Sequence, residues 1–230
     1  MGSLNGGALG GFRNWIINGN FTVNQRSGTR TPGNGVYGFD RWKGHAQGLE
    51  QVVESLPAGE YTLSWFGGGT GTFGGTTAPS PITATVAEGN TSVVVPSTAS
   101  LVQLEPGPVA TPFEHRPVGT ELTLCQRYFV RYSSPLTGYR IGAGYMDSTT
   151  NGPITLSLPT ALRDKPTVSF ADLQVAAAVQ VSPVTSIDPN IASNSVLLST
   201  TITTPTITAG VATQYRFTSA SAYIAFDAEL

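Results

Sequence analysis

The sequence predicts an all-β protein, and three observations carry that prediction. Glycine (27) and proline (16) are spread through 230 residues, too many helix breakers for a helical bundle. Val, Ile, Tyr and Phe are nevertheless too frequent for a disordered chain. The apolar residues also fall in short runs with period two. In Tyr61-Thr62-Leu63-Ser64-Trp65 the large residues at 61, 63 and 65 alternate with hydroxyl residues, the pattern of a half-buried strand.

Read in order, residues 1–12 form a leader, Gly-rich from Asn5 to Gly11. Trp15-Ile16-Ile17 is an apolar burst closed by Asn18-Gly19, a turn signal. A Gly/Pro/Asn loop spans Gly28 to Gly38. Strands are expected at Gln51–Ser55 and Glu60–Phe66, joined through Pro57-Ala58-Gly59. A Gly/Thr loop follows from Gly67 to Pro81, then strands at Ile82–Ala87, Ser92–Val95 and Ala99–Glu105. Pro106–Pro117 is broken by proline and glycine and is expected to be irregular. Glu121–Tyr132 is continuous enough for a helix or a strand, and periodicity does not choose between them. Further strands are expected at Ile154–Leu158, Thr167–Phe170, Val175–Val181, Val196–Ile202, Tyr215–Thr218 and Tyr223–Asp227, spaced by turns as in a sandwich or barrel. The expected organisation is leader 1–12, a first domain 13–117, a connecting element 118–132 and a C-terminal β-sandwich domain 133–230.

Charged residues make up 11% of the chain, against roughly 25% in ordinary soluble domains. A net charge of −2 with scattered basic residues gives no electrostatic reason to bind nucleic acid or an anionic membrane. No apolar run reaches membrane-spanning length, and no signal peptide is recognisable, so synthesis in the cytoplasm is expected. The single cysteine, Cys125, excludes an intramolecular disulfide and any multi-cysteine metal site; no cofactor or metal is expected.

Few motifs suggest chemistry. Gly69-Thr70-Gly71-Thr72-Phe73-Gly74 has dinucleotide-loop spacing, but Gly75–Pro81 cannot start the helix such a loop requires, so a flexible hairpin is expected. His45 and His115 lack metal-ligand neighbours, and no nucleophile elbow surrounds any serine. Cys125 sits in an apolar frame of Leu122, Leu124 and Tyr128, which reads as a buried thiol. Glu50 with Glu54, or Asp147 with Asp164, are possible carboxylate pairs for glycoside hydrolysis, and nothing singles out either. Trp15, Trp42 and Trp65 read as core. Tyr132, Tyr139 and Tyr145 lie around a Gly-rich stretch with Arg140 and Asp147, where rings can stack on sugars while the polar groups bond hydroxyls.

Three blocks together resemble the tail-fibre proteins of tailed bacteriophages. Arg13-Asn14, then Ile17-Asn18-Gly19-Asn20-Phe21, Gln25-Arg26 and Asp40-Arg41-Trp42 are similar to that family's opening. Val102-Gln103-Leu104-Glu105 with Ala110-Thr111-Pro112-Phe113-Glu114-His115-Arg116 resembles its closing strand, and Glu121-Leu122 with Leu124-Cys125-Gln126-Arg127-Tyr128-Phe129 the segment after it. The resemblance implies a jelly-roll similar to carbohydrate-binding modules and a homotrimeric fibre in the virion. Such a fibre joins other tail proteins and attaches to host polysaccharide or lipopolysaccharide without being an enzyme. The interval from Asp40 to Gln103 is shorter than the family's, implying an abbreviated jelly-roll-like sandwich that connects and trimerises. Recognition then falls to 133–230, with Tyr132, Tyr139, Arg140, Tyr145 and Asp147 as ligand-binding residues. Asp40, Arg41, Trp42, Glu105, Glu114, Arg116, Glu121 and Arg127 are expected to determine fold and assembly, the charged ones among residues 105–127 as a cluster. An envelope-polysaccharide depolymerase and a purely structural tail or capsid-decoration protein are the alternatives.

Overall fold

The computed structural model describes residues 3–4, 7–8, 12–177, 180–192, 195–202 and 207–230, with backbone alone at 3–4, 7–8, 189–192 and 195–196. The protein is all-β, as expected. It divides into two compact units, Met1–Cys125 with Leu230, and Gln126–Glu229.

The first unit opens with a short ladder, β1 (Ser3–Leu4) against β2 (Gly7–Ala8), within the leader. Eight strands follow: β3 (Lys43–His45), β4 (Gly48–Leu56), β5 (Gly59–Phe66), β6 (Thr70–Phe73), β7 (Thr76–Pro79), β8 (Ile82–Val86), β9 (Gly89–Val95) and β10 (Ser100–Pro106). They form one sheet in the order β3-β4-β9-β6-β7 and another in the order β10-β5-β8. Only β3–β4 and β6–β7 are hairpins, so every other connection crosses from one sheet to the other. Leu49, Val53, Phe73, Val93 and Val95 from the first sheet pack against Tyr61, Leu63, Trp65, Ile82 and Leu104 from the second, making a sandwich. Burial alternates along β4 until Ser55. There a positive φ of 48° and a register shift reset the phase and turn Leu56 inward.

Within the Gly/Thr loop expected from Gly67 to Pro81, the hairpin expected at the glycine motif is present as β6–β7. Phe73 pairs with Thr76 around Gly74 (φ 55) and Gly75 (φ 78), the two positive-φ positions of a tight two-residue turn. Threonine-rich alternation carries the strands, and Phe73 is fully buried. The glycine motif at 69–74 thus belongs to a hairpin, with no helix behind it. Glu121–Tyr132, left open by periodicity, divides: α1 (Val118–Gln126) starts after Pro117, and β11 (Phe129–Ser133) follows after two intervening residues.

The motif residues of the first unit act on a segment without regular structure. Residues 14–18 run through the protein with their backbone groups paired largely by side chains. Glu114 accepts the Asn14 N–H (3.0 Å), and Gln51 both accepts from and donates to Ile17 (2.9 and 2.8 Å). Glu121 accepts the Asn18 N–H at 2.6 Å, and the Trp42 indole donates to the Asn18 carbonyl at 3.0 Å. Arg116 donates to the Ile16 carbonyl (3.0 Å), to the Asn14 carbonyl and to Glu121 (2.9 Å). The Trp15 N–H donates to the Leu104 carbonyl, laying the segment along β10. On β10, Glu105 is buried beneath Thr111, whose N–H and hydroxyl it accepts, and lies 3.5 Å from Arg13. Buried backbone without a partner is costly, so these side chains do for the segment what a neighbouring strand does elsewhere.

Asp40-Arg41-Trp42 lies in a turn rather than on a strand, with Arg41 at φ 71°. Trp42 is fully buried and stacks on Phe21 at 5.1 Å, as a core residue should. Arg127 does not join the charge cluster: it is exposed and belongs to the second unit. The reason is that α1 ends before it, so it lacks the helical register that places Glu121.

Asp40 accepts the Gln25 N–H (2.6 Å) and the Gln25 amide (3.2 Å), yet burial raises its pKa, outweighing those bonds and the nearby Arg26 charge. A raised folded-state pKa means that the ionised carboxylate costs stability. That cost is absent below the unfolded-state value of 3.8 and appears as pH rises through the folded-state value. The stability of the protein relative to Asp40→Asn is therefore expected to increase as pH falls from 7 toward 4, measured by denaturant midpoints; a flat difference would contradict it.

The second unit holds β11, then β12 (Arg140–Tyr145), β13 (Asn151–Ser157), β14 (Thr167–Ala171), β15 (Leu173–Ala177), β16 (Gln180–Ala192), β17 (Ser195–Ile202), β18 (Ala212–Phe217) and β19 (Tyr223–Asp227). Residues 178–179 of the strand expected at Val175–Val181 lie outside the described residues. Strands β12-β13-β17-β16-β15-β18 close into an antiparallel barrel, and β11-β19-β14 form a separate sheet. Where a C-terminal β-sandwich is expected, the larger sheet instead closes on itself as a barrel. Ile154, Leu156, Val175, Leu198, Tyr215 and Phe217 point inward and share one core with Ile224 and Phe226 of the sheet.

Candidate functional site

The outer wall of the barrel carries a cleft of about 510 Å³ where β12, β13, β17 and β16 pass side by side. Its origin lies in the strand chemistry. Between β12 and β13 the only paired residues are Gly144 and Ile154, because Pro153 has no N–H to give to a ladder. Gly144 packs so closely that a Cβ there would lie 1.9 Å from the Pro153 carbonyl oxygen. Ala143 presents only a methyl group outward. The seam is thus narrow, small-residued and sparsely bonded, and the cleft opens over it.

Larger groups stand around that seam. Tyr145 is 54% exposed at one side, and Leu197 is 44% exposed on β17. Thr155 pairs with Leu197, and Ser199 pairs with both Pro153 and Asp188, so period-two alternation turns all of these side chains outward together. Asp147 follows directly on β12. The N–H groups of Asp147 and Ser148 both donate to the Asn151 carbonyl, while Met146 between Tyr145 and Asp147 is buried as an anchor. Tyr145 and Asp147 are thereby held on the outer face. Beneath the wall, the Tyr215 hydroxyl bonds Thr200 (2.8 Å) and the Gly152 carbonyl (3.1 Å). Its pKa is raised chiefly by burial, the Thr200 bond opposing this and the Asp147 charge adding to it.

Of the five residues expected to bind ligand, Tyr145 and Asp147 meet in this cleft. Arg140 lines a second groove on the other side of β12. Tyr139 is 49% exposed but lines neither groove. Tyr132 is half-buried, edge-on to Phe226 at 6.2 Å, with its hydroxyl donated to the Ser157 carbonyl, so its ring serves packing.

The sequence reading missed Asp188, Ser199, Thr155 and Leu197. No short-range pattern marks them, because only the register of β13, β17 and β16 assembles them. The carboxylate pairs considered from sequence do not assemble here. Glu50 is ion-paired with Lys43 (3.5 Å) and bonded by Ser92, and Asp164 lies beside Arg163 (4.0 Å), outside the cleft. Cys125 is buried, and His115 is exposed and edge-on to Phe113. Among the described residues no group of three or more His, Cys, Asp or Glu is arranged to hold a metal ion.

No family model matches the chain, and no curated protein or solved structure is significantly similar to it. Fold and site define a two-unit β protein whose barrel wall carries an open cleft of aromatic, hydroxyl and carboxylate groups. No helix among the described residues is long and apolar enough to cross a membrane.

Proposed function

We propose that the protein is a receptor-binding component of a phage tail fibre, attaching to host-surface polysaccharide or lipopolysaccharide as a homotrimer within the virion. The observation that carries this reading is the cleft itself. An exposed ring beside Asp147, Asp188, Thr155 and Ser199 offers a stacking face flanked by hydroxyl-bonding groups, the complement of a sugar. Its openness suits a polymer that passes across the surface. Three copies on one rigid body convert weak contacts into strong attachment. The blocks resembling tail-fibre proteins supply the rest of the reading.

Tyr145→Ala is expected to weaken glycan binding by about threefold to tenfold per site, the value of one aromatic contact. Asp147→Asn with Asp188→Asn is expected to weaken it further. Binding of purified protein to host envelope polysaccharide checks both, and full retention in the Tyr145→Ala protein would rule this cleft out. Light scattering should return three times the chain mass of 24.0 kDa.

The presence of two carboxylates at one cleft favours one alternative, a depolymerase. Both are exposed, whereas a glycosidase acid is held in surroundings stripped of water, so binding without cleavage is the preferred reading. Release of oligosaccharides from host envelope, lost in Asp147→Asn or Asp188→Asn, would overturn that preference.

A further inference from the structure

On the far side of β12 from the cleft lies a groove of about 450 Å³, and Ala143 and Gly144 line both. Arg140 on β12 and Arg216 on β18 are direct cross-strand partners, and both line the groove. Like charges placed opposite one another destabilise a ladder, and a chain with only twelve basic residues has no compositional need to pair two of them. No acidic residue lines the groove among its described residues, and neither arginine forms an ion pair with a described residue.

The Arg140 side chain is also tied to a neighbouring strand. Arg140 donates through Nε to Gln214 at 2.5 Å, and both residues line the groove. Gln174 pairs with Arg216 from the third strand, β15. Two guanidinium forks on one face, beside the Gln214 amide and with no carboxylate among the groove's lining residues, match the planar oxygens of a carboxylate, phosphate or sulfate.

We infer that Arg140 and Arg216 form an oxyanion subsite, so that the glycan carries an acidic group one step away from the sugar seated on Tyr145. This rests on the glycan-binding reading of the cleft. It adds a polarity: Asp147 and Asp188 repel an anion from the cleft, and the arginines attract it to the groove, so the chain lies across β12 in one direction.

The test is a titration of the isotopically labelled full chain with glucose, glucuronate and glucose 1-phosphate, read by NMR at the Arg140 and Arg216 side-chain N–H groups and at Tyr145. Glucuronate, glucose 1-phosphate or both should shift the arginine signals, and which of them does so names the anion as carboxylate or phosphate. Arg140→Gln with Arg216→Gln should weaken that response about tenfold or more and leave the glucose response at Tyr145 intact. Arginine signals that ignore both anions, or respond equally to glucose, would overturn the subsite. Loss of the Tyr145 response alone would instead overturn the glycan reading of the cleft. Inorganic phosphate matching glucose 1-phosphate in affinity would reduce the subsite to unspecific anion attraction and overturn it as a sugar site.

Discussion

Replacing Arg116 by leucine is expected to destabilise the first unit by about 3–5 kcal/mol, the range found when one member of a buried ion pair is removed. Arg116 is 7% exposed and Glu121 6%. The change strands the Glu121 carboxylate and leaves the Asn14 and Ile16 carbonyls without their donor. Changing Glu121→Gln in the same protein removes the stranded charge and keeps an acceptor for the Asn18 N–H, so it should recover part of the loss. The readout is unusually clean. Trp15, Trp42 and Trp65 are the only tryptophans and all lie in the first unit, so fluorescence during guanidinium unfolding reports on that unit alone. A loss below about 1 kcal/mol would place the pair with ordinary surface ion pairs and remove the argument that it clamps residues 14–18.

The second large effect belongs to the barrel. Gly144→Ala places a methyl carbon 1.9 Å from the Pro153 carbonyl oxygen, against backbone that no side-chain rotation can move aside. Gly144 and Ile154 are also the only paired residues between β12 and β13. The substitution is expected to cost about 2–4 kcal/mol, as severe overpacking does, and to part the seam under the cleft. Amide hydrogen exchange should quicken at Gly144 and Ile154, glycan binding should fall, and the tryptophan transition of the first unit should stay where it was. Unchanged exchange and unchanged binding would show that the seam accommodates the methyl and that the cleft does not depend on it.

Much of the fold was legible in advance. Tyr61, Leu63 and Trp65 face the core as their alternation requires, and the strands expected at Glu60–Phe66 and Tyr223–Asp227 are present to within a residue. Glycine and threonine dominate the β6–β7 hairpin, so its sequence shows a hairpin at residues 69–74 but not the extent of the two strands. Its signal was the pair Gly74-Gly75, which suits a two-residue turn wherever strands flank it. The continuity of Glu121–Tyr132 concealed a change from helix to strand, since a short apolar run satisfies either period. The candidate site was half legible: Tyr145 and Asp147 are two residues apart, but Asp188 and Ser199 reach them only through ladder register.

By itself the sequence determined the fold class, the tryptophans that pack in the first core and the positions where the chain must turn, because glycine, proline and period-two burial act over a few residues. It also marked Glu114, Arg116 and Glu121 as unusual, since charge is scarce in this chain. Tertiary structure alone decided what those groups bind, the closure of six strands into a barrel, and the meeting of Asp147 with Asp188 and of Arg140 with Arg216. Strand pairing brings together residues that are 41 and 76 positions apart in sequence. No local preference encodes that distance; the register of each ladder, set by which side chains must be buried, does.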